Sequence, residues 1–282
     1  MTATQPQLTE SERTARDVFR RLAAAADEFE GYRHPHAERI AALADELAKL
    51  FGLGRADRAA LRIAALAHDL GESAMGRDYI KRAGPLEEAE RLDLLRHPVI
   101  GEQEAARAGA ERGAQLLVRW SHEWWNGTGY PDALRREQIP LAARLLRVAD
   151  AYASLTDARP YRPAFTEADA RRHLVEWAGL EFDPQVVRAF LTLRDLPELR
   201  SYALLERPAA VEPEPPPFAP DDAEATTQTT PATQPTQTTR NEDDDARPFG
   251  HVPQAGTNPH VQRPTTAEAD NPPAPAAPPD VW

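Results

Sequence analysis

The sequence predicts an all-α protein with a disordered C-terminal tail, and two observations carry this prediction. Apolar residues recur at helical spacing through nearly all of residues 10–200, with neither sustained strand-like alternation nor a repeat of fixed period. Residues 208–282 instead hold 17 of the 27 prolines and few large apolar side chains. A segment of that composition buries too little apolar surface to offset the entropy of ordering it.

Helices are expected in nine segments of the folded part. In order, they run approximately over residues 11–30, 36–51, 57–70, 86–97, 99–108, 110–121, 141–155, 167–177 and 184–194. Ser11 and Thr166 are suited to capping helix N-termini, whereas Gly71 and Gly179 are suited to ending helices. Residues 126–140 break the helical pattern with two glycines and two prolines, which predicts an ordered loop of the kind that often carries function.

Charge and composition exclude several classes of protein. The net charge is −12, of which the 12 acidic and 3 basic residues after residue 208 supply −9, so that the remainder carries only −3. This balance argues against a general DNA- or RNA-binding surface. The absence of cysteine excludes disulfides and thiolate chemistry. No secretory signal and no membrane-spanning apolar run is present, so we expect a cytoplasmic protein.

A polar pair, His68 and Asp69, interrupts the apolar helical run of residues 65–71. Burying an unpaired imidazole and carboxylate side by side is unfavourable by about several kcal/mol, whereas a divalent cation turns both into ligands. His36 also faces inward, because Ile40 shares its side of the expected helix. A partnered core histidine at position 36, and a contact from Asp69 to the following loop, are the alternatives.

Three more candidate ligands lie at helix ends or on an inward face. Asp150 lies among apolar residues, where a carboxylate needs a cation, and a salt bridge with Arg147 is the alternative partner. His97 and His122 stand near expected helix ends, where capping is the alternative role. Taken together, the pattern predicts a two-metal centre. Its ligands are His36, His68, Asp69, His97, His122 and Asp150.

These residues belong to a longer series of motifs in a fixed order. The series comprises His36-Ala-Glu-Arg-Ile, His68-Asp69, His97-Pro98, His122-Glu123, Asn126-Gly-Thr-Gly-Tyr-Pro131, Ile139-Pro-Leu-Ala-Ala-Arg144, Val148-Ala-Asp150 and Arg159-Pro-Tyr-Arg162. Over about residues 30–195, it resembles the HD-GYP family of bacterial phosphodiesterases. The resemblance implies an HD-superfamily helical bundle over residues 31–200. An N-terminal helical extension over 1–30 would precede it, and the tail over 208–282 would follow.

The resemblance also implies an activity and its cofactors. Members of the family hydrolyse cyclic di-GMP to linear pGpG or GMP in second-messenger signalling, using iron or manganese ions. By position, one ion would be held by His36, His68, Asp69 and Asp150. Asp69, as the catalytic residue, would bridge this ion to a second ion on His97 and His122. Mixed nitrogen and oxygen ligation suits iron, manganese or zinc.

Substrate and partner contacts follow from the same resemblance. Arg159 and Arg162 would recognise phosphate or guanine through their forked donors. Tyr130 would stack on or hydrogen-bond to the cyclic dinucleotide, with simple packing as the alternative. Diguanylate cyclase domains are candidate partners for the loop around Tyr130, and residues 1–30 are a candidate homodimer contact.

Four positions depart from the family pattern. Glu72 replaces a lysine, Ser121 a metal-binding histidine, and Ala153 a second aspartate, while Tyr32 stands where members with three metals carry a glutamate. We therefore expect two ions rather than three, with weaker affinity for the second. The alternative function is a catalytically weakened module that binds metal or nucleotide and signals through protein partners.

Overall fold

The computed structural model describes residues 10–82, 84–159 and 162–202. These ranges form α1 (Glu10–Glu30), α2 (His36–Leu50), α3 (Arg55–Ala67), α4 (Leu70–Met75), α5 (Glu88–Leu94), α6 (His97–Arg107), α7 (Arg112–Arg119), α8 (Leu141–Thr156), α9 (Glu167–Glu176) and α10 (Pro184–Phe190). Three short 3-10 helices cover Asp78–Lys81, Arg136–Gln138 and Pro197–Leu199. In this part of the chain the only β-type pairing is two isolated bridges. The all-α prediction is confirmed, and the predicted disordered tail over 208–282 lies outside the described residues.

Helix α2 lies at the centre of the core. Ile40, Leu43 and Leu47 recur at helical spacing on one face, and all three are completely buried against α3 and α8. Leu61 of α3 and Leu146 of α8 complete this contact and are equally buried. Burial of each such side chain contributes about 1.5–3 kcal/mol. The layer therefore fixes α2, α3 and α8, three of the helices that carry or adjoin candidate ligands.

Helix α1 packs on the same core. Phe19 and Ala23 are buried, and the helix lies against α3 and α4. The end of α1 approaches the start of α2, where His36 is the first helical residue. The boundary predicted between residues 1–30 and 31–200 stays a prediction. None of the helices in the described part of the chain has the length and apolarity that crossing a bilayer requires.

The predicted helix over residues 57–70 is wrong at its C-terminal end. Helix α3 ends at Ala67, Asp69 adopts φ −102° and ψ 12°, and a new helix begins at Leu70. Gly71 therefore lies inside α4 rather than ending a helix. A Cβ at Gly71 would lie 2.0 Å from the carbonyl oxygen of His97, so only glycine lets α4 approach α6 this closely.

Two other boundaries also differ from the prediction. His97 begins α6 instead of ending the preceding helix, because Pro98 is favoured in a first helical turn. Helix α10 ends at Phe190, earlier than the expected residue 194. The predicted cap at Thr166 is present, since its hydroxyl accepts a hydrogen bond from the backbone N–H of Asp169 at 3.1 Å.

Candidate metal centre

The six predicted ligands all come from helix ends or from the inward face of α8. His36 begins α2, His68 and Asp69 lie between α3 and α4, His97 begins α6, His122 follows α7, and Asp150 lies in α8. The four histidines and Asp150 are buried, and the side chain of Asp69 is 12% exposed.

Two groups of potential ligands share Asp69. His36, His68 and Asp69 form the first group, and in each group the ligand atoms lie within 4.8 Å of one another. Asp69, His97 and His122 form the second group. A carboxylate has two oxygens, so one side chain can serve two neighbouring cations. This arrangement places Asp69 where the two-metal prediction requires a bridging residue.

The surroundings of the histidines fit a metal. In His36, Nδ1 lies 2.7 Å from Asp157 Oδ2, while in His97 it lies 2.8 Å from the carbonyl oxygen of Leu94. The Nε2 atoms of both rings are buried and make no hydrogen bond. A buried nitrogen without a partner destabilises the fold. An unprotonated imidazole nitrogen can donate its lone pair to a metal cation, which then serves as that partner. The residues present therefore fit the divalent ions that the sequence predicts.

The first group contains a strong internal ion pair. His68 Nε2 lies 2.7 Å from Asp69 Oδ2, and His68 Nδ1 lies 2.9 Å from the carbonyl oxygen of Ala65. Burial alone would lower the pKa of His68, but the Asp69 carboxylate outweighs it and raises this pKa to about 10. In turn, the positive charge of His68 overcomes burial and lowers the pKa of Asp69. A cation binding to this group would replace the proton.

Asp150 lies beside the first group and makes the salt bridge that was its alternative role, while its predicted role as a ligand stays a prediction. Its Oδ1 lies 3.9 Å from His68 Nε2, which places it beside the first group. Its Oδ2 also accepts a hydrogen bond from the Arg147 guanidinium at 3.0 Å, which is the salt bridge left open as the alternative. Ser154 donates to Oδ1 at 3.1 Å. Asp150 therefore borders the centre but is held by protein donors.

Two carboxylates that were not predicted as site residues lie at the centre. Glu72 Oε1 is 4.0 Å from His97 Nδ1, so Glu72 turns inward rather than away. Burial, reinforced by the Asp69 charge, raises the pKa of Glu72 to about 8. Burial also raises the pKa of Glu30, again with Asp69 adding to the shift. This excess of buried acids makes the centre favourable for cations.

Asp157 is a further residue that sequence reasoning missed. Besides its contact with His36, it accepts a hydrogen bond from Arg39 at 2.5 Å. Burial would raise the pKa of Asp157, but the bond to His36 and the charge of Arg39 hold it below its usual value. Arg39 and Asp157 stand 118 positions apart, so no local spacing in the sequence signals the pair.

The loop over residues 126–140 is held against the second group. Glu123 accepts hydrogen bonds from the backbone N–H groups of Asp132 at 2.7 Å and Leu134 at 2.9 Å. At Gly129 a Cβ would lie 2.2 Å from the backbone nitrogen of Trp124, so a larger residue cannot fit. The Tyr130 ring stacks on His122 with ring centres 5.1 Å apart. Tyr130 is therefore placed at the centre, and its predicted contact with substrate stays a prediction.

The two predicted substrate arginines make contacts within the protein. Arg159 donates to Glu30 at 3.1 Å and to the Tyr32 hydroxyl, and it lies over the Tyr32 ring. Tyr32 stacks in turn on His36, with ring centres 3.8 Å apart. Arg162 donates to the backbone carbonyls of Ser154 and Leu155. Their recognition of substrate stays a prediction. Pro160 and Tyr161 of the same motif lie outside the described residues.

Two other departures from the family pattern are accounted for locally. Ser121 is completely buried and donates its hydroxyl to the carbonyl of Val118 at 2.9 Å. Ala153 is also completely buried, within α8. Neither side chain supplies a ligand atom to the two groups around Asp69.

Comparison with known proteins places these features in a family. Residues 17–186 match the sequence model of the HD domain. RpfG, the cyclic di-GMP phosphodiesterase response regulator of Xanthomonas campestris pv. campestris, is 36% identical over 189 residues, which cover 65% of this chain and 49% of RpfG. A cyclic di-GMP phosphodiesterase of Vibrio cholerae serotype O1 is 38% identical over 135 residues, covering 45% of this chain and 27% of that enzyme. The chain thus spans half or less of these relatives.

A solved structure supports the fold. The crystal structure of a cyclic GMP-AMP-specific phosphodiesterase of V. cholerae superposes with a TM-score of 0.53 at 19% identity, covering 66% of this chain and 50% of that chain. The HD-GYP resemblance inferred from the spaced motifs is confirmed by these relatives. The chain belongs to the HD domain family.

Proposed function

We propose that the chain is a metal-dependent phosphodiesterase that hydrolyses a cyclic dinucleotide, with cyclic di-GMP as the first candidate and cyclic GMP-AMP as the second. The observation that carries this proposal is the pair of ligand groups sharing Asp69. The names of the relatives support the substrate class, because they act on these two cyclic dinucleotides. Because bacterial second messengers of this kind act in the cytoplasm, we propose that the chain acts there as well.

The proposed cofactors are two divalent ions, iron or manganese. Imidazole nitrogen together with carboxylate oxygen suits both of these metals. When bound, such ions supply charge stabilisation for the phosphoryl oxygens and lower the pKa of the attacking water. Asp69 would hold both ions, His36 and His68 one of them, and His97 and His122 the other.

The remaining residues of the centre orient these ligands. Asp157 accepts from His36 and so fixes the ring with Nε2 toward the first group. The carbonyl oxygens of Ala65 and Leu94 do the same for His68 and His97. A ligand held by packing and hydrogen bonds loses little entropy when the ion binds, so the site is preorganised.

The second candidate function is a binding module that keeps the centre and signals through protein partners. The observation that favours it is Glu72, which stands where the family pattern has a lysine and whose Oε1 lies 4.0 Å from His97 Nδ1. Once a bound cation has displaced its proton, this carboxylate would repel a substrate phosphate in a partly desolvated site and so weaken substrate binding. Diguanylate cyclase domains and a second copy of the chain are the proposed partners of such a module.

Hydrolysis of defined nucleotides tests the proposal. The full chain is loaded anaerobically with Mn²⁺ or Fe²⁺, its metal content is measured, and it is incubated with cyclic di-GMP, 3′3′-cGAMP and linear pGpG. We expect a linear product from a cyclic dinucleotide. The Asp69→Asn variant should lose this activity, whereas Asp93→Asn, which removes an ion pair with Arg77, should keep it. A metal-loaded chain that binds a cyclic dinucleotide without cleaving it would instead support the module.

A further inference from the structure

The four clustered histidines differ in the group that faces Nδ1. In His36, His68 and His97 this nitrogen lies within 2.9 Å of an oxygen, from Asp157, Ala65 and Leu94 respectively. A carbonyl or carboxylate oxygen only accepts, so each of these Nδ1 atoms carries the proton. His36 and His97 then present the lone pair of Nε2 to the centre, which is the form that binds a metal. In His68, Nε2 lies 2.7 Å from Asp69 Oδ2 and carries the proton that a bound cation would replace.

His122 faces a donor instead. Its Nδ1 lies 3.4 Å from NH1 of Arg147, with an N–H of the guanidinium directed at it. A guanidinium has donors only, so Nδ1 must offer its lone pair. A neutral ring in that state carries its proton on Nε2.

Arg147 is held firmly in this position. Its NH2 donates to Glu181 at 2.5 Å and its NH1 to Asp150 at 3.0 Å. The Arg147 side chain is 9% exposed, and both carboxylates are buried as well. Moving the guanidinium away would leave two buried carboxylates without their cation, which strongly disfavours the movement. Its fixed positive charge also opposes a second cation nearby.

We propose that Arg147 is a positioning residue that makes the two metal positions unequal. The position formed by His36, His68 and Asp69 binds its ion first, because Nδ1 of both histidines already faces an acceptor and neither ring has to change its tautomer. The position formed by Asp69, His97 and His122 binds more weakly, because His122 must change its tautomer against Arg147. This inference rests on the metal centre of the proposed function. Because of its lower affinity, the position formed by Asp69, His97 and His122 is filled only at a higher metal concentration.

The tautomers can be measured directly on the metal-free full chain. Two-bond ¹H–¹⁵N correlation spectra of ¹⁵N-histidine-labelled protein distinguish protonation at Nδ1 from protonation at Nε2. Each ring is assigned by a single histidine substitution. We expect Nδ1–H in His36 and His97, and Nε2–H in His122. An Nδ1–H signal from His122 would overturn the proposal, whatever the chain does to nucleotides.

Metal titration tests the consequence. Binding of Mn²⁺ under anaerobic conditions, followed by the electron paramagnetic resonance of the free ion, should show two steps whose affinities differ by about 10- to 100-fold, the usual effect of groups that orient a ligand. In Arg147→Gln the side-chain oxygen can accept a hydrogen bond from Nδ1–H of His122, so the difference between the two Mn²⁺ affinities should become smaller. Arg144→Gln is the matched control, because Arg144 lies on the same helix and pairs with Asp183 at 2.7 Å.

The outcomes separate this proposal from the proposed function. Two equal affinities in the unmodified chain, or an unchanged gap in a folded Arg147→Gln variant, would contradict the role of Arg147. If that variant does not fold, the ¹H–¹⁵N spectra of the unmodified chain still test the proposal, because they report the tautomer of His122 directly. Two unequal Mn²⁺ affinities that come closer together in Arg147→Gln, without nucleotide hydrolysis, would support the role of Arg147 and reject the enzyme.

Discussion

In each clustered histidine, one ring nitrogen contacts a neighbouring group. That group determines whether this nitrogen carries the proton, and therefore whether the other nitrogen can bind a metal. Asp157 performs this task for His36, and backbone carbonyls perform it for His68 and His97. Backbone carbonyls cannot be removed by a substitution at one side chain. The Asp157 carboxylate can be removed in this way, so Asp157 offers the cleanest test of ligand orientation by a single substitution.

Substituting Asp157 should weaken the first metal position. Asp157→Ala removes the acceptor of His36, and we expect Mn²⁺ affinity to fall by about 10- to 100-fold. It also breaks the buried pair with Arg39, so the free energy of unfolding should fall by about 3–5 kcal/mol. Asp157→Asn should restore part of the metal affinity, because its amide oxygen still accepts from Nδ1–H. Calorimetric titration and urea unfolding measure the two effects.

The control for this prediction is a second buried Asp–Arg pair. Asp183→Ala removes the partner of Arg144 and should lower stability without changing Mn²⁺ affinity. Equal metal affinity in Asp157→Ala and the unmodified chain would show that Asp157 does not orient His36.

Glu72 should make the metal-free protein less stable as the pH rises. Its pKa is about 8 in the folded protein and 4.5 ordinarily, so between these values the folded state binds a proton that the unfolded state has lost. The free energy of unfolding then falls as pH rises through this window. Glu72→Gln should flatten the dependence and raise stability at pH 8, relative to pH 5, by about 1 kcal/mol or more. Urea unfolding in the presence of a chelator measures this.

His68 acts in the same direction at higher pH, because its folded pKa of about 10 lies above its ordinary 6.5. The slope that remains in Glu72→Gln should therefore lie mainly between about pH 6.5 and 10. Glu88→Gln, at an exposed position, serves as the control. If the free energy of unfolding of Glu72→Gln depended on pH as steeply as that of the unmodified chain, a group other than Glu72 would be the one that binds the proton.

At the scale of elements, the approach of α4 to α6 brings Asp69 toward His97. Gly71 permits that approach, because its Cα faces the carbonyl of His97. Gly71→Ala should lower the free energy of unfolding by about 1–3 kcal/mol or more, since the backbone must shift. Thermal and urea unfolding of the metal-free chain measure the loss.

Gly113 provides the matched control for that substitution. Gly113 lies in helix α7, and a Cβ there would lie 3.7 Å from the Cβ of Ala60 in α3, an ordinary van der Waals contact. Gly113→Ala should therefore be neutral or stabilising by up to about 1 kcal/mol. Equal effects of the two substitutions would mean that the α4–α6 contact is not as close as the structure has it.

Helices were predictable because their apolar faces are local patterns. The segment over residues 141–155 corresponds closely to α8, which ends at Thr156. The break at His68 and Asp69 was not predictable, because the apolar pattern continues across it into Leu70. Its cause is the docking of α4 on α6, a tertiary contact. Sequence spacing therefore located the polar pair but not the turn that presents it.

For the candidate site too, residues in local sequence patterns were predictable and residues that act through tertiary contacts were not. The six proposed ligands stand out because they lie in short motifs or on inward faces. Asp157 and Glu30 do not, because their roles depend on partners brought in by the fold. Arg147 was expected as a partner of Asp150, but its contacts with His122 and Glu181 also depend on the fold. Glu72 was recognised as a departure from the family pattern, but only packing shows that it turns toward His97.

At the scale of the whole molecule, the charge is divided between a nearly neutral body and an acidic tail. Of the net charge of −12, −9 falls after residue 208. The composition of residues 208–282, with few large apolar side chains, predicts that their backbone amides exchange with solvent at unprotected rates. Amides of helix α2 in the same sample are the protected reference. Slow exchange in the tail, measured by mass spectrometry, would contradict its predicted disorder.

The body brings together the predicted ligands from five regions of the chain that are separated by up to 114 positions, from His36 to Asp150. The core formed by α2, α3 and α8 fixes their relative positions before any ion binds. A folded metal-free protein with a poised site is therefore expected, rather than one that folds only when it is loaded.

Anomalous diffraction from crystals of the full chain grown anaerobically with Mn²⁺ tests the central claim most directly. The account predicts two manganese peaks on either side of the Asp69 carboxylate, one bound by His36 and His68, and a weaker one bound by His97 and His122. Manganese bound away from Asp69, or no peak in this centre at saturating Mn²⁺, would contradict it.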